Sequence, residues 1–244
     1  MGTELASRIL YCDAHCVVVN KMIGEAVEGA GKGMADLPKL LAAELAASGY
    51  PAPQDALPLP AAVHRLDVPV TGCAVFARAG NALRLLNAAF SGYTVRKHYW
   101  AVAELPSHNA LFAGESAEST LVHWLQFDPR RNKATAHDQP GPGRKKAVLR
   151  CRLAGRGQNY LFLEIELITG RHHQIRAQLE RVGLHIKGDL KYSARRSEPN
   201  GGIRLHAREI VFPDPSGGGS ITAQADPPCC DNLWQAFMAA AGTA

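Results

Sequence analysis

The sequence predicts an α+β fold: a mixed, mostly antiparallel central sheet with flanking helices. Three observations carry this. Short β-branched runs are paired across tight turns, as in hairpins, and the helical stretches follow no regular strand-helix repeat. In addition, Leu161, Leu163, Ile165 and Leu167 alternate with Phe162, Glu164 and Glu166, which is a strand with one buried face. With 46% hydrophobic residues in 244, the chain can bury a continuous core.

Taken in order, Ile9-Leu10-Tyr11 and Cys16-Val17-Val18-Val19 flank the turn-like Asp13-Ala14-His15, so the chain opens on a hairpin. A Gly-rich loop spans 24–33. Asp36 and Pro38 start a helix bearing Leu40, Leu41 and Leu45 that ends near Gly49. Four prolines in residues 50–60 predict an extended loop. Residues 73–77 read as a buried strand, and Asn81 as the cap of a helix carrying Leu83, Leu86 and Phe90. Another strand covers 98–104. Residues 105–145 are polar and irregular, with their clearest loop at 138–146, and mark the boundary between two sub-halves of one domain spanning 1–244. Beyond them come strands at 147–153 and 160–168 and a helix at 172–182 with the stripe Ile175, Leu179 and Val182, closed by Gly183. A last strand at 203–212, a Gly-rich loop and a tail helix with Leu233, Trp234, Phe237 and Met238 complete the chain.

Composition excludes several classes. No stretch approaches the roughly 20 apolar residues of a membrane helix, and the N-terminus has no basic region leading into an apolar signal core, so a cytoplasmic protein is expected. Six cysteines at irregular spacing make neither a disulfide framework nor two zinc-ligand pairs. The adjacent His172 and His173 lack a third ligand at useful spacing, and no phosphate loop or dinucleotide fingerprint is present. No metal or cofactor is expected. The net charge of +5 is unevenly spread: residues 142–212 hold fifteen basic residues against six acidic ones, an excess suited to a polyanion or to an ordinary solvated face.

Three polar segments sit beside predicted strands. His64-Arg65-Leu66-Asp67 precedes the buried strand, where Asp67 could enter a cleft or make a local turn bond. Tyr99, in Lys97-His98-Tyr99, could stack on a base or simply fill the core. Arg176 closes Thr169-Gly170-Arg171-His172-His173-Gln174-Ile175-Arg176, where it could face a cleft or pair with Glu180 four residues on.

Together and in this order, these segments resemble the RluA-type pseudouridine synthases. The first, continued by Thr71-Gly72, is similar to that family's HRLDxxTSG; the second to its KxY; the third to its TGRxHQ[IL]R. Gly183-Leu184-His185-Ile186-Lys187-Gly188-Asp189-Leu190-Lys191-Tyr192 is similar to GHPIxGDxxY, Leu205-His206-Ala207 to the late LHA and Asn20-Lys21 to the opening NKP. Departures fall at Met22, Val70 and Leu184. No S4-type RNA-binding module is expected before the first matching strand.

The resemblance implies an isomerase that converts uridine in structured RNA, transfer or ribosomal, to pseudouridine in a central RNA-binding cleft. Asp67 is then the essential carboxylate, either attacking C1′ or removing a sugar proton. Arg176 orients it, since an Arg fork suits a carboxylate. Tyr99 stacks on the uracil, and Arg65 fills the space left by the extruded base. His64, Arg171, His173 and Gln174 are the further substrate-binding candidates. The implied partner is RNA, with no membrane, no cofactor and no obligate protein partner, and the chain acts as a monomer. A catalytically inactive RNA-binding or ribosome-assembly factor of the same fold is the alternative, and a metal-dependent nuclease using His172, His173 and Asp67 a weaker one.

Overall fold

A computed structural model describes residues 3–31, 34–105, 112, 118–228 and 230–242. The chain divides into two compact units, residues 1–97 with 207–228 and residues 98–206 with 229–244. The described residues of 105–145, the segment expected to mark a boundary, fall in the second unit. The changeovers at 97/98 and 206/207 fall inside strands, so no polar linker marks them in the sequence.

In the first unit, α1 (Thr3–Ala6) precedes the predicted hairpin of β1 (Ile9–Cys12) and β2 (Cys16–Lys21). The hairpin turn is an Asx type: Asp13 Oδ1 accepts from the His15 and Cys16 amides at 2.8 and 2.7 Å. The two-residue strands β3 (Glu25–Ala26) and β4 (Ala35–Asp36) pair in parallel across the Gly-rich stretch, where Lys32 and Gly33 lie outside the described residues. The helix α2 (Leu37–Ala47) follows, with Pro38 in its first turn as expected.

The proline-rich stretch is a correction. Residues expected as loop form β5 (Ala56–Ala62), antiparallel to β6 (Thr71–Ala79). Proline lacks an N–H, which confines such a strand to an edge or an irregular register, and the β5 register shifts between Ala56 and Ala61. Every residue of β6 is buried. The helix α3 (Gly80–Ser91) begins with Ala79 at its N-cap, and the amide of Asn81 donates to Asp55 Oδ2 at 2.8 Å. The cap predicted for Asn81 is thus supplied by an acid 26 residues earlier, a partner that only tertiary contact brings in.

The second unit opens on β7 (Arg96–Glu104). The region expected to be irregular contains two strands, β8 (Glu118–Asp128) and β9 (Lys133–His137), joined by a tight tip. Each face of β8 mixes polar and apolar side chains, Val122 and Trp124 with Glu118 and Gln126, and Leu121 and Leu125 with Ser119 and His123, which masks the alternation. Then come β10 (Lys145–Arg156), β11 (Tyr160–Leu167) and α4 (Gln174–Arg181), followed by a 3-10 turn at Leu190–Tyr192. These strands lie in the order β7-β11-β10-β8-β9, each pairing antiparallel to its neighbour. The α4 helix starts two residues later than its periodicity suggests, because His173 takes a left-handed conformation (φ 50°) at its N-cap.

The chain returns to the first unit through β12 (Leu205–Pro213), which forms a hairpin with β13 (Ser220–Gln224) across the Gly-rich loop. β13 was not expected. The first unit's strand order is β1-β2-β6-β12-β13, over a core that includes Val18, Val75, Leu86, Ile210 and Phe212. The tail helix α5 (Asn232–Ala241) is as predicted. Asp231 caps it by accepting from the Trp234 amide, and Trp234 and Phe237 pack on Trp100, Val102 and Phe162 of the second unit.

Gly72 explains why Thr-Gly stands where β6 begins. Its φ is 112°, and a Cβ there would lie 2.2 Å from the Ala207 carbonyl oxygen. The backbone at Ala207 thus lies directly against it. Gly72→Ala is expected to destabilise the protein by about 3 kcal/mol or more, through both overpacking and positive φ; urea unfolding of the two proteins measures this.

Candidate active site

In the first unit, the loop bearing Asp67 is held from both sides. His64 stacks on Phe90 (centroids 4.9 Å apart), and its Nε2 accepts from the Val75 amide at 3.0 Å, so the proton of the neutral ring sits on Nδ1. Burial, with Lys97 nearby, pushes its pKa down to about 3, which keeps it neutral. Leu66 is buried, Arg65 is exposed and Asp67 is half-buried. The Asp67 carbonyl accepts from the Val70 amide at 3.0 Å, closing a turn through Val68 and Pro69.

Beneath this turn lies Lys21, fully buried. Its Nζ donates to the carbonyls of Met22, Val68 and Val70 at 2.9, 3.1 and 2.7 Å. One ammonium thus ties the end of β2 to both sides of the turn after Asp67. Burial lowers its pKa to about 8, opposed by the carboxylates of Glu25 and Asp67. Two of the departures from the family pattern, Met22 and Val70, serve here through their carbonyls, which any residue supplies.

In the second unit, Tyr99 is buried in β7 opposite Ile165. The registers Tyr99–Ile165, Ile165–Cys151 and Cys151–Ser119 place it on the same sheet face as Leu121 and Leu125. That face carries α4, since Leu125 clusters with Ala177 and Tyr192. Tyr99 and the helix of Arg176 therefore share one side of the sheet.

Arg176 is buried and forms a two-pronged pair with Asp189: Nε to Oδ2 at 2.6 Å and Nη2 to Oδ1 at 2.8 Å. Its guanidinium also lies 4.7 Å from the centre of the Tyr192 ring. The helix-surface partner considered for it, Glu180, instead takes Lys133 (3.1 Å) and the Ser193 hydroxyl (2.8 Å). His173 Nδ1 lies 2.9 Å from the Tyr192 hydroxyl, which also accepts from the Ala134 amide at 2.9 Å. Gln174 Oε1 accepts from Thr169 Oγ1 (2.8 Å) and the Arg171 amide (2.9 Å), while its Nε2 donates to the Val148 carbonyl at 3.1 Å. Arg171 Nε donates to the Lys146 carbonyl at 3.1 Å. His173 and Gln174 thus fix the loop that leads into α4. The third departure, Leu184, is fully buried, with its amide on the Leu179 carbonyl.

The basic stretch 142–212 is less available than its composition suggests. Arg150, Arg152, Arg176, Arg181, Lys187, Arg195, Arg204 and Arg208 pair with Glu166, Glu164, Asp189, Asp138, Glu198, Glu104, Asp231 and Asp226 respectively. More than half of the fifteen therefore already have carboxylate partners. Among the described residues no three His, Cys, Asp or Glu side chains are grouped as metal ligands, and no helix is long and apolar enough to cross a membrane.

The family model described as RNA pseudouridylate synthase matches residues 15–181. The chain belongs to the RNA pseudouridylate synthase family. The ribosomal large subunit pseudouridine synthase C of Vibrio parahaemolyticus is 31% identical over 219 residues, 87% of this chain and 63% of that protein. An uncharacterized RNA pseudouridine synthase of Zymomonas mobilis is 29% identical over 208 residues, 84% of this chain and 87% of that protein. The chain thus spans less than two thirds of the first relative and most of the second. Human RNA pseudouridylate synthase domain containing 4 has the same fold, with a TM-score of 0.72 at 20% identity over 99% of this chain and 95% of that one.

For this pseudouridylate synthase family member, sequence reasoning assigned no role to Lys21, Asp189 or Tyr192. Each lies in a segment that carries the resemblance, so the signal was present; a lysine, an aspartate and a tyrosine read singly do not say that they are buried braces.

Two predictions follow from this geometry. The unfolded chain holds the Lys21 proton to about pH 10.5 and the folded chain releases it near pH 8, so between these values the unfolded state binds more protons. The stability of the native protein relative to Lys21→Met therefore rises with pH across that window, by about 3 kcal/mol in all. Paired urea melts at pH 7.5, 9 and 10.5 test this, and a flat difference contradicts it. Asp189→Ala, which leaves Arg176 buried without its carboxylate, is expected to cost about 3–5 kcal/mol in the same assay.

Proposed function

We propose that the protein is an RNA pseudouridine synthase that isomerises uridine in structured transfer or ribosomal RNA. The observation that carries this is the family match over residues 15–181, within which Asp67, Tyr99 and Arg176 each stand in the segment where the resemblance assigns a role. The relatives named for the ribosomal large subunit support ribosomal RNA as the first substrate to test.

In this reading, the bond from uracil N1 to C1′ breaks, the base turns, and C5 bonds to the same C1′. C5 then loses its proton and N1 gains one, so the product is an isomer and no electrons change hands. No cofactor is called for. Asp67 is the essential carboxylate, either as nucleophile at C1′ or as base toward the sugar. Its position between the anchored His64 and the Lys21-braced turn supports a preorganised role. Arg176 orients that carboxylate, and its fork with Asp189 sets the guanidinium plane. Tyr99 stacks on the uracil. The exposed Arg65 takes the place of the extruded nucleotide, because a base inside a helix cannot reach a half-buried carboxylate. The surroundings of His64, His173 and Gln174 support a scaffolding contribution to substrate binding rather than direct contact, while Arg171 lies at the loop surface. The enzyme acts in the cytoplasm as a monomer without an obligate protein partner.

Tritium released from C5-labelled uridine in RNA of cells lacking the gene measures the activity. Wild-type protein is expected to release it. Asp67→Asn should release none while unfolding at the wild-type temperature, because the side chain keeps its shape and loses its charge. If wild-type protein releases none from any cellular RNA, the proposal fails; an Asp67→Asn strain indistinguishable from wild type, beside an impaired deletion, would favour the inactive RNA-binding alternative.

A further inference from the structure

We infer that the tip of the β8–β9 hairpin, with Phe127, Arg130 and Arg131 as its contact residues, is a second RNA-binding surface that takes an unpaired base and its flanking phosphates. The choice of RNA as occupant rests on the proposed function; the surface itself rests on the following geometry.

The tip is rigid. Asp128 Oδ1 accepts from the amides of Arg130 (2.9 Å) and Arg131 (3.4 Å), and the Asn132 amide donates to the Pro129 carbonyl at 3.3 Å. Asn132 stands in the left-handed region at φ 45° and is held twice more: its Oδ1 lies 3.0 Å from His172 Nε2, and its carbonyl accepts from Lys191 Nζ at 3.2 Å. Little ordering would be left to do on binding.

The groups it presents suit single-stranded nucleic acid. Phe127 is 41% exposed, a large aromatic ring left open to solvent. Its other side meets the His172 ring at 4.3 Å, edge to face, so the ring is steadied from below. Arg130 and Arg131 are exposed and have no carboxylate partner among the described residues. They differ in this from Arg150 and Arg152 in the same unit, which are locked to Glu166 and Glu164. An exposed ring at the same hairpin tip as two exposed arginines that have no carboxylate partner among the described residues offers a stacking face and phosphate contacts together. A protein-binding patch would instead place its charges at the rim and its apolar groups together.

Position adds to this. Phe127 follows Leu125 by two residues and so lies on the sheet face that carries α4 and Tyr99. Behind it, ring contacts run from His172 to His173 (4.1 Å) and on to Tyr192 (5.7 Å), over which Arg176 lies. RNA held at the tip would thus rest on the same packed group of side chains that holds Arg176.

The test is affinity for bulk ribosomal and transfer RNA from cells lacking the gene, measured by filter binding at several salt concentrations, with melting curves to check each fold. For the double variant Arg130→Ala, Arg131→Ala, Kd is expected to rise about tenfold, and the slope of log affinity against log salt to fall by about 1.5, since each lost phosphate contact removes about 0.7–0.9. Phe127→Ala should weaken binding about tenfold, within the range for loss of one base-stacking platform, and Phe127→Trp should retain it. The double variant Arg150→Ala, Arg152→Ala is the charge-matched control and should bind like wild type. A folded double variant with wild-type Kd and slope overturns the inference, as does wild-type protein that binds neither RNA. Because affinity is read without catalysis, RNA binding with the expected tip dependence but without pseudouridine formation would support this surface while defeating the proposed activity.

Discussion

The buried fork between Arg176 and Asp189 is the interaction on which the α4 side of the second unit depends. Two charges taken out of water are costly unless each satisfies the other, and the paired geometry does this with two short bonds between planar groups. The consequence is positional. The fork ties α4 to the segment after Gly188, where φ is 91° and a Cβ would meet Glu198 and Gly202; only glycine lets the chain pass there and still bring Asp189 under the helix. Tyr192 then closes the arrangement by lying beneath the guanidinium and bonding β9 through Ala134. Two motifs that look independent in sequence are therefore one mechanical part.

The first unit uses a comparable device with a single charge. Lys21 collects three carbonyls around the Asp67 turn, and its depressed pKa records how little water reaches it. Both devices spend a buried cation on backbone or side-chain position rather than on surface charge. The same economy runs through the basic stretch, where most guanidinium groups already face a carboxylate and contribute only the small stabilisation usual for exposed pairs. A tally of Lys and Arg therefore overstated the surface left for a polyanion. Arg130 and Arg131 at the β8–β9 tip, without carboxylate partners among the described residues, lie in a segment that composition alone marked as irregular.

Elements with a strong period were legible: the opening hairpin, α2, the fully buried β6, the alternating β11 and the tail helix, whose Asp231 cap came only with the structure. The misses share one cause. In β5 the prolines signalled a loop because the ladder they spoil is visible locally, whereas the partner strand that tolerates them is not. β8, β9 and β13 carry polar or small residues whose strand state comes from their neighbours.

The order of the segments around Asp67, Tyr99 and Arg176 was enough, without coordinates, to indicate a family and a chemistry, because a reaction constrains residue type and order more tightly than a fold does. Sequence also settled the α+β class, since hairpin spacing and strand alternation are local properties. What it left open was the partner of each charge: that Arg176 takes Asp189 and not Glu180, that Lys21 grips a turn 47 residues away, and that Asp55 caps a helix begun 25 residues later. These pairings are decided by burial, which makes an unsatisfied charge or amide costly enough to select one partner among many, and burial exists only once the chain has folded.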